Sequence, residues 1–548
     1  MHACRTGSNN GSSLSKENPQ MRKVVFDIQR NDVMRTGRNR MIRWHMRDRV
    51  CVSLLSLLCL SCSANVATVD AAQLLAGVGR ADITDSNTPS NDPLYAKALV
   101  LKSGETNIVF ITVDAVAIEE IGRIPKTFLG NLRTIINKEF SVEPSHVIVN
   151  ASHCHGVVSH EVEAKTLEAV RQAWKSLVAV RVGVGKGHEN KISENRRLKL
   201  VDGSEADVRH AYSLPADEIV SSIGPIDPEI GVLRIDTIDG KPLAVVYNFA
   251  CHPIQRVPSG KDTADFPGFS SKVIEENLGE GSMAFFIQGC AGDINPVQYK
   301  NVHAPHDAEP IGNLLGLAVM RAARSIHPSD DTRLKVISEK LLLPRASDFE
   351  QRIASLGAER EKLLESLQGT SLNFKSFVPL LLQYKLSDEF PSYASHRYFQ
   401  EKSIGRSDLE TLDKENRLNL QQYIRNIHTM ERITQVQVNL ALLQKHRAQA
   451  REASCNTIEV EVSGIRIGEC VFVTFPGELT VEVGLAIKKR AGAGFTFVAG
   501  YTNGYIYYAP TDAQRRNTGC AQEDCDCILA PQWQKIFENK AIELISKL

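Results

Sequence analysis

From Leu75 onward, short β-branched runs alternate with amphipathic stretches, and this alternation constrains the fold more than any other feature of the 548-residue chain. Residues 108–113, 147–150, 179–184, 231–235, 243–249 and 283–288 read as strands. Residues 124–140, 162–177 and 268–278 between them carry helical spacing. Strand followed by helix, repeated, predicts an α/β body: a layered mixed sheet with flanking helices. Strand signals stop near Arg345 and return at 457–462 and 469–475. Between them Ile353, Leu356, Leu363, Leu364 and Leu367, then Ile433, Val436, Leu440 and Leu443, recur at helical spacing, which predicts an inserted antiparallel helical pair. Helices are expected again at 478–489 and 533–548. The expected organisation is an upstream segment with a signal peptide over 1–73, a catalytic body over 74–344, a helical insertion over 345–454, and the rest of the body over 455–548.

The amino end belongs to no such body. An apolar run at 50–62 follows Arg47 and Arg49 and precedes the small residues Ser63-Ala-Asn-Val-Ala67. At about 13 residues it is shorter than the roughly 20 a membrane span needs, so it reads as a secretory signal starting at Met41 or Met46. Export, to a periplasmic, secreted or surface location, is the expectation. No later stretch reaches membrane-spanning length, although contact with a membrane surface stays open. Lys+Arg and Asp+Glu both total 64, and a chain with zero formal charge has no field to attract nucleic acid. Export permits disulfides, and Cys520, Cys525 and Cys527 are the cysteines most expected to bridge, with a soft-metal site as the alternative.

Chemistry-bearing residues collect where strands end. Asn150-Ala-Ser-His153-Cys-His155-Gly156 places two imidazoles two residues apart, on one face of an extended chain. His252 follows a strand in Tyr247-Asn-Phe-Ala-Cys-His252-Pro253. A glycine-rich turn, Gln288-Gly-Cys-Ala-Gly292-Asp293-Ile-Asn295-Pro296, can aim backbone amides at a ligand. Glu478 follows Pro476-Gly477 as a helix-start carboxylate or a metal ligand, and Gly500 to Thr511 carries a polar aromatic run with Tyr505, Tyr507 and Tyr508.

Taken in order, Gly79-Arg-Ala-Asp82-Ile-Thr84, Asp114, His153-Cys-His155-Gly156, Asn195-Arg196, Asn248-Phe-Ala-Cys-His252-Pro253, Gly292-Asp293-Ile-Asn295-Pro296, Pro476-Gly477-Glu478 and Asn503-Gly-Tyr-Ile-Tyr-Tyr508 resemble the neutral/alkaline ceramidases. The resemblance runs from about Leu75 to Thr511 and implies a zinc-dependent exported amidase that cleaves an N-acyl, ceramide-like bond. It implies one zinc ion held by His153, His252, Glu478 and Tyr508, donor types that suit zinc and leave a position for water. His155 would sit beside the substrate carbonyl, Arg196 would contact substrate, and Asp293 and Asn295 belong to the catalytic turn. The family has a nucleophilic Ser where this chain has Asn295. Asn cannot be deprotonated to attack a carbonyl, so water activated by the metal is the expected nucleophile, with Asn295 as an oxyanion donor. Cys520 stands where the family has a second tyrosine, and the family's carboxyl-terminal immunoglobulin-like domain has no counterpart before Leu548. These departures support a second reading, a non-catalytic metal- or ligand-binding protein on the same scaffold. The oligomeric state stays open.

Overall fold

The computed structural model describes residues 73–208, 215, 217–297, 303–453, 455–492, 494–517 and 521–548. The apolar run at 50–62, with the secretory signal read from it, and Cys520 lie outside these residues. The larger sheet has eight strands, in the spatial order Met283–Gln288, Pro242–Phe249, Glu229–Thr237, Val178–His188, Leu75–Asp82, Tyr95–Ser103, Thr106–Val113 and Val147–Ala151. The pair at each edge is parallel and every pairing between them is antiparallel. Parallel neighbours need a crossover, and at each edge the crossover contains a helix, Phe128–Phe140 or Asp265–Leu278. A smaller sheet, in the order Leu334–Pro344, Thr457–Ile467, Cys470–Thr474 and Phe495–Ala499, ends in a third parallel pair joined through helix Val481–Ala491.

Side-chain alternation explains how the layers stack. Leu99, Phe110, Ile148, Leu233 and Phe285 leave one face of the larger sheet and meet Ile465, Phe472 and Phe497 of the smaller one. Their neighbours in sequence point the other way. Ala98, Val109 and Ile111 pack on Leu167 and Val170 of helix Val162–Lys175, while Val245, Tyr247 and Phe286 pack on Phe266, Leu315 and Val319 of helices Asp265–Leu278 and Ala308–Ser325. Val473 and Val498 cover the far face of the smaller sheet against Ile487, Trp533 and Phe537. The result is a helix–sheet–sheet–helix stack, in which burying each large apolar side chain contributes about 1.5–3 kcal/mol. Gly77 and Gly79 set one spacing: a Cβ on them would lie 2.0 and 2.2 Å from the Ala173 and Ala169 carbonyl oxygens.

The strands Leu334–Pro344 and Thr457–Ile467 pair antiparallel, and the helical segment grows from between them. Helix Phe349–Ser366 runs along the 45-residue helix Asp408–Glu452. Glu350 meets Arg447 and Arg451 while Glu359 meets Arg432, so the two are antiparallel as expected. The expected pair is extended by two shorter helices, Phe374–Leu386 and Ser395–Ser403. These cap the far part of the long helix around Phe377, Tyr384 and Leu420. No helix among the described residues is long and apolar enough to cross a membrane.

Candidate metal centre

Each expected metal ligand follows the carboxyl end of a strand from one of the three parallel pairs: His153 after Val147–Ala151, His252 after Pro242–Phe249, Glu478 after Cys470–Thr474 and Tyr508 after Phe495–Ala499. The first two strands belong to opposite ends of the large sheet, yet the sheet curls and its edges meet at these carboxyl ends. Asn150 Oδ1 accepts a hydrogen bond from the Gln288 backbone N–H at 3.0 Å. The Gln288 side chain then donates from Nε2 to the carbonyls of Ser152 at 3.1 Å and Cys251 at 2.8 Å, the residues just before His153 and His252. One buried amide thus ties both histidine-bearing segments together.

His153, His252 and Glu478 form a buried group whose ligand atoms all lie within 4.8 Å of one another. His153 Nδ1 donates to the Val116 carbonyl at 2.5 Å and His252 Nδ1 to the Ile294 carbonyl at 3.1 Å. With Nδ1 occupied in each ring, both Nε2 atoms face Glu478 Oε2, at 3.6 and 3.0 Å. Burial holds the His153 imidazole down at about 4, so the ring is neutral and able to ligate. Burial alone would raise the Glu478 carboxyl, but His153, His252 and the Tyr505 hydroxyl hold it well below the usual range. Tyr501 and Tyr505 donate to its two oxygens. Left-handed backbone at His153, Tyr501, Asn503 and Tyr507, with φ from 51° to 68°, concentrates strain at this centre.

Tyr508 is the register partner of Glu478 in a two-residue parallel pair, and its ring stacks on His252 with centroids 6.5 Å apart. Glu478 therefore lies in a short strand, with helix Val481–Ala491 starting three residues later, and is not a helix-opening residue as one reading had it. Of the His153–His155 pair only the first joins the group. The left-handed turn at His153 ends the strand alternation, and His155 stands exposed in the cavity, its ring 5.3 Å from that of His153.

The centre opens into a cavity of about 790 Å³ that His155, Arg196, His252, Glu478 and Tyr508 help to line. Arg196 is buried, with its guanidinium 5.5 Å from the Tyr508 ring centroid, and it bonds the Gly292 carbonyl at 2.5 Å and Asn295 Oδ1 at 3.1 Å. Burial works against its charge, yet Glu523, 2.6 Å from Nε, and Tyr508 hold its pKa well above the ordinary value. Asp293 and Asn295 lie behind the cavity wall and do not line it. Asp293 accepts from the Val481 N–H at 2.8 Å, so it anchors the start of that helix, and from Asn195 Nδ2 at 3.1 Å. Asn295 Nδ2 is a buried donor with no partner among the described residues. A Cβ on Gly292 would fall 2.6 Å from the Glu478 carbonyl oxygen, so this turn needs glycine to reach the Glu478 strand.

Sequence reasoning missed Gln288 as a tether, although its motif was in view. It also missed the buried ion network under Arg196. There Arg197 bonds both carboxylate oxygens of Asp524 at 3.0 and 3.1 Å and reaches Glu205 at 2.7 Å. Glu523 and Asp524 lie among the cysteines expected to bridge. Cys527 is a buried free thiol and so is not bridged to Cys525. Among the described residues no group with metal-binding spacing includes a cysteine.

A buried His–His–Glu group at converging strand ends, set in the wall of a deep cavity, defines an α/β protein with a metal-type centre. The fold is that of bacterial neutral ceramidase. The chain aligns with the crystal structure of neutral ceramidase from Pseudomonas aeruginosa at a TM-score of 0.54 and 16% identity, over 87% of this chain and 75% of that one. It aligns with a ceramidase complexed with C2 at the same TM-score and identity, over 86% and 75%. No family model and no curated protein matches the sequence.

Proposed function

We propose that the chain is an exported, zinc-dependent hydrolase of an amide bond in an N-acyl, ceramide-like lipid. The observation that carries this reading is the His153–His252–Glu478 group at the wall of a deep cavity, on a neutral ceramidase fold. Two imidazoles, a carboxylate and the adjacent Tyr508 phenol are a donor set that fits one zinc ion. When bound, zinc lowers the pKa of a coordinated water to about 7 and polarises a carbonyl. The remaining roles fall to the chain's own side chains. His155, exposed in the cavity beside His153, orients the substrate carbonyl or moves a proton toward the leaving amine. Arg196, fixed by Glu523, Asn295 and the Gly292 carbonyl, presents a positive charge to the substrate oxygen. Asn295 holds Arg196 and keeps an unused N–H on Nδ2, while Asp293 pins the turn that carries both. With Asn295 in place of a hydroxyl, no covalent acyl-enzyme forms on this turn.

The same replacement, together with the seat of Asn295 behind the wall, favours the second reading of a binding protein that does not turn over. A screen of N-acyl lipids and simpler N-acyl amines, with and without a chelator, separates the two. Chelator-sensitive release of fatty acid supports the hydrolase. Tight binding with no release across the screen supports the binding protein.

A further inference from the structure

The wall of the cavity is not made by the catalytic body alone. The helix Asp408–Glu452 reaches it near its carboxyl end, where Lys445 lines the cavity with Nζ 4.4 Å from the Tyr507 ring centroid. The next residue, His446, is anchored to Asp526 at 2.7 Å, and Gln449 donates to the Tyr507 hydroxyl at 2.8 Å, so this stretch of helix is fixed in place. From the crossover loop after His252, Arg256 and Lys261 line the same cavity. All three cationic side chains are exposed, and none has an ion-pair partner within 4 Å among the described residues.

The acids of the cavity are already engaged. Asp262 accepts from the Val157 N–H at 2.9 Å, Asp265 from the backbone N–H groups of Arg256 and Phe266 at 2.6 and 2.7 Å, Asp526 takes His446, and Glu478 belongs to the metal group. Among the described residues the cavity thus offers three unpaired positive charges and no unengaged carboxylate. A lysine held over an aromatic face keeps its charge available for a further anion.

We infer that the substrate carries an anionic group, a carboxylate or a phosphate, and that Lys445, with Arg256 and Lys261, selects for it. This rests on the amidohydrolase reading and sharpens it: the preferred compound is a charged N-acyl amine rather than a neutral one, and the helical insertion supplies the selecting residue. Lys445 acts on specificity and takes no part in bond cleavage.

The test uses the full chain and three probes: N-dodecanoylglycine, the phosphate ester of N-dodecanoylethanolamine, and neutral N-dodecanoylethanolamine. Binding is measured by calorimetry and turnover in parallel. At least one anionic probe should bind better than the neutral one, and which one does identifies carboxylate or phosphate. Lys445→Met should reduce that preference about tenfold, and added salt should shrink it in the wild type. Equal binding of charged and neutral probes overturns the inference, as does a preference unmoved by both Lys445→Met and Lys261→Met. Charge-selective binding without turnover counts against the hydrolase and leaves the anion site standing.

Discussion

Gln288 stands between the two histidine-bearing segments, and its side-chain amide ties both of them to one point. Gln288→Ala leaves the Ser152 and Cys251 carbonyls buried without their donor, which costs roughly 2–6 kcal/mol at about 1–3 per orphaned group. It also frees His153 and His252 to drift apart. Zinc affinity should fall about 10- to 100-fold, as it does when supporting contacts around metal ligands are lost; an unchanged zinc affinity in the folded variant would count against the tether. Asn295 is tested differently, because it acts through Arg196. Asn295→Ala should retain zinc while, by releasing Arg196 from its position, lowering kcat/KM about a hundredfold, and Asn295→Ser, which keeps an oxygen acceptor, should be tolerated. Full activity in Asn295→Ala, or an acyl-enzyme seen by mass spectrometry, contradicts that assignment. His153, His252 and Glu478 could be found in the sequence because each sits in a short motif where an apolar strand stops. Gln288 could not, since its partners are the backbones of two segments distant in sequence. Arg197, Glu523 and Asp524 were hidden for the same reason: a buried ion pair shows only once both halves are folded together.

At the scale of elements, the βαβ crossovers place the chemistry. Strand runs at 108–113 and 283–288 were readable because they are continuously apolar over most of their length, the first β-branched and the second built round Phe285, Phe286 and Ile287. Tyr95–Ser103, Leu334–Pro344 and the helix Ala308–Ser325 escaped notice. Lysines inside the two strands break their apolar pattern, and glycines and small residues dilute the helical periodicity. The insertion was readable as helical but not in its number of helices, because the two shorter ones are held by polar contacts. Asp413 is their hub: it accepts from Tyr384 at 2.7 Å and Tyr398 at 2.5 Å, and also from Ser392. Asp413→Ala should loosen helices Phe374–Leu386 and Ser395–Ser403 by about 2–3 kcal/mol. Faster amide exchange should appear there and not in the strands around the centre. Uniform loosening across the chain would show that the insertion is not a separate cooperative element.

Across the whole molecule, buried carboxyl groups set how stability follows pH. Burial pushes Asp265 up to about 7, against an ordinary value near 4 in the unfolded chain. Between pH 4 and 7 the folded state therefore holds a proton that the unfolded state has released, and stability falls as pH rises through that window. Asp265→Asn removes this dependence. Relative to the variant, the wild type should lose on the order of 3 kcal/mol between pH 4 and pH 8 in denaturant titrations. A constant difference between the two proteins would mean that Asp265 is ionised throughout.

The measurement that bears most directly on the whole account is the zinc content of the purified full chain and of His252→Ala. The account predicts about one zinc per chain in the wild type. It predicts near-complete loss in the variant, since removing one imidazole leaves too few ligands to hold the ion. A His252→Ala protein that folds and keeps its full zinc complement would place the metal elsewhere and contradict the proposed centre.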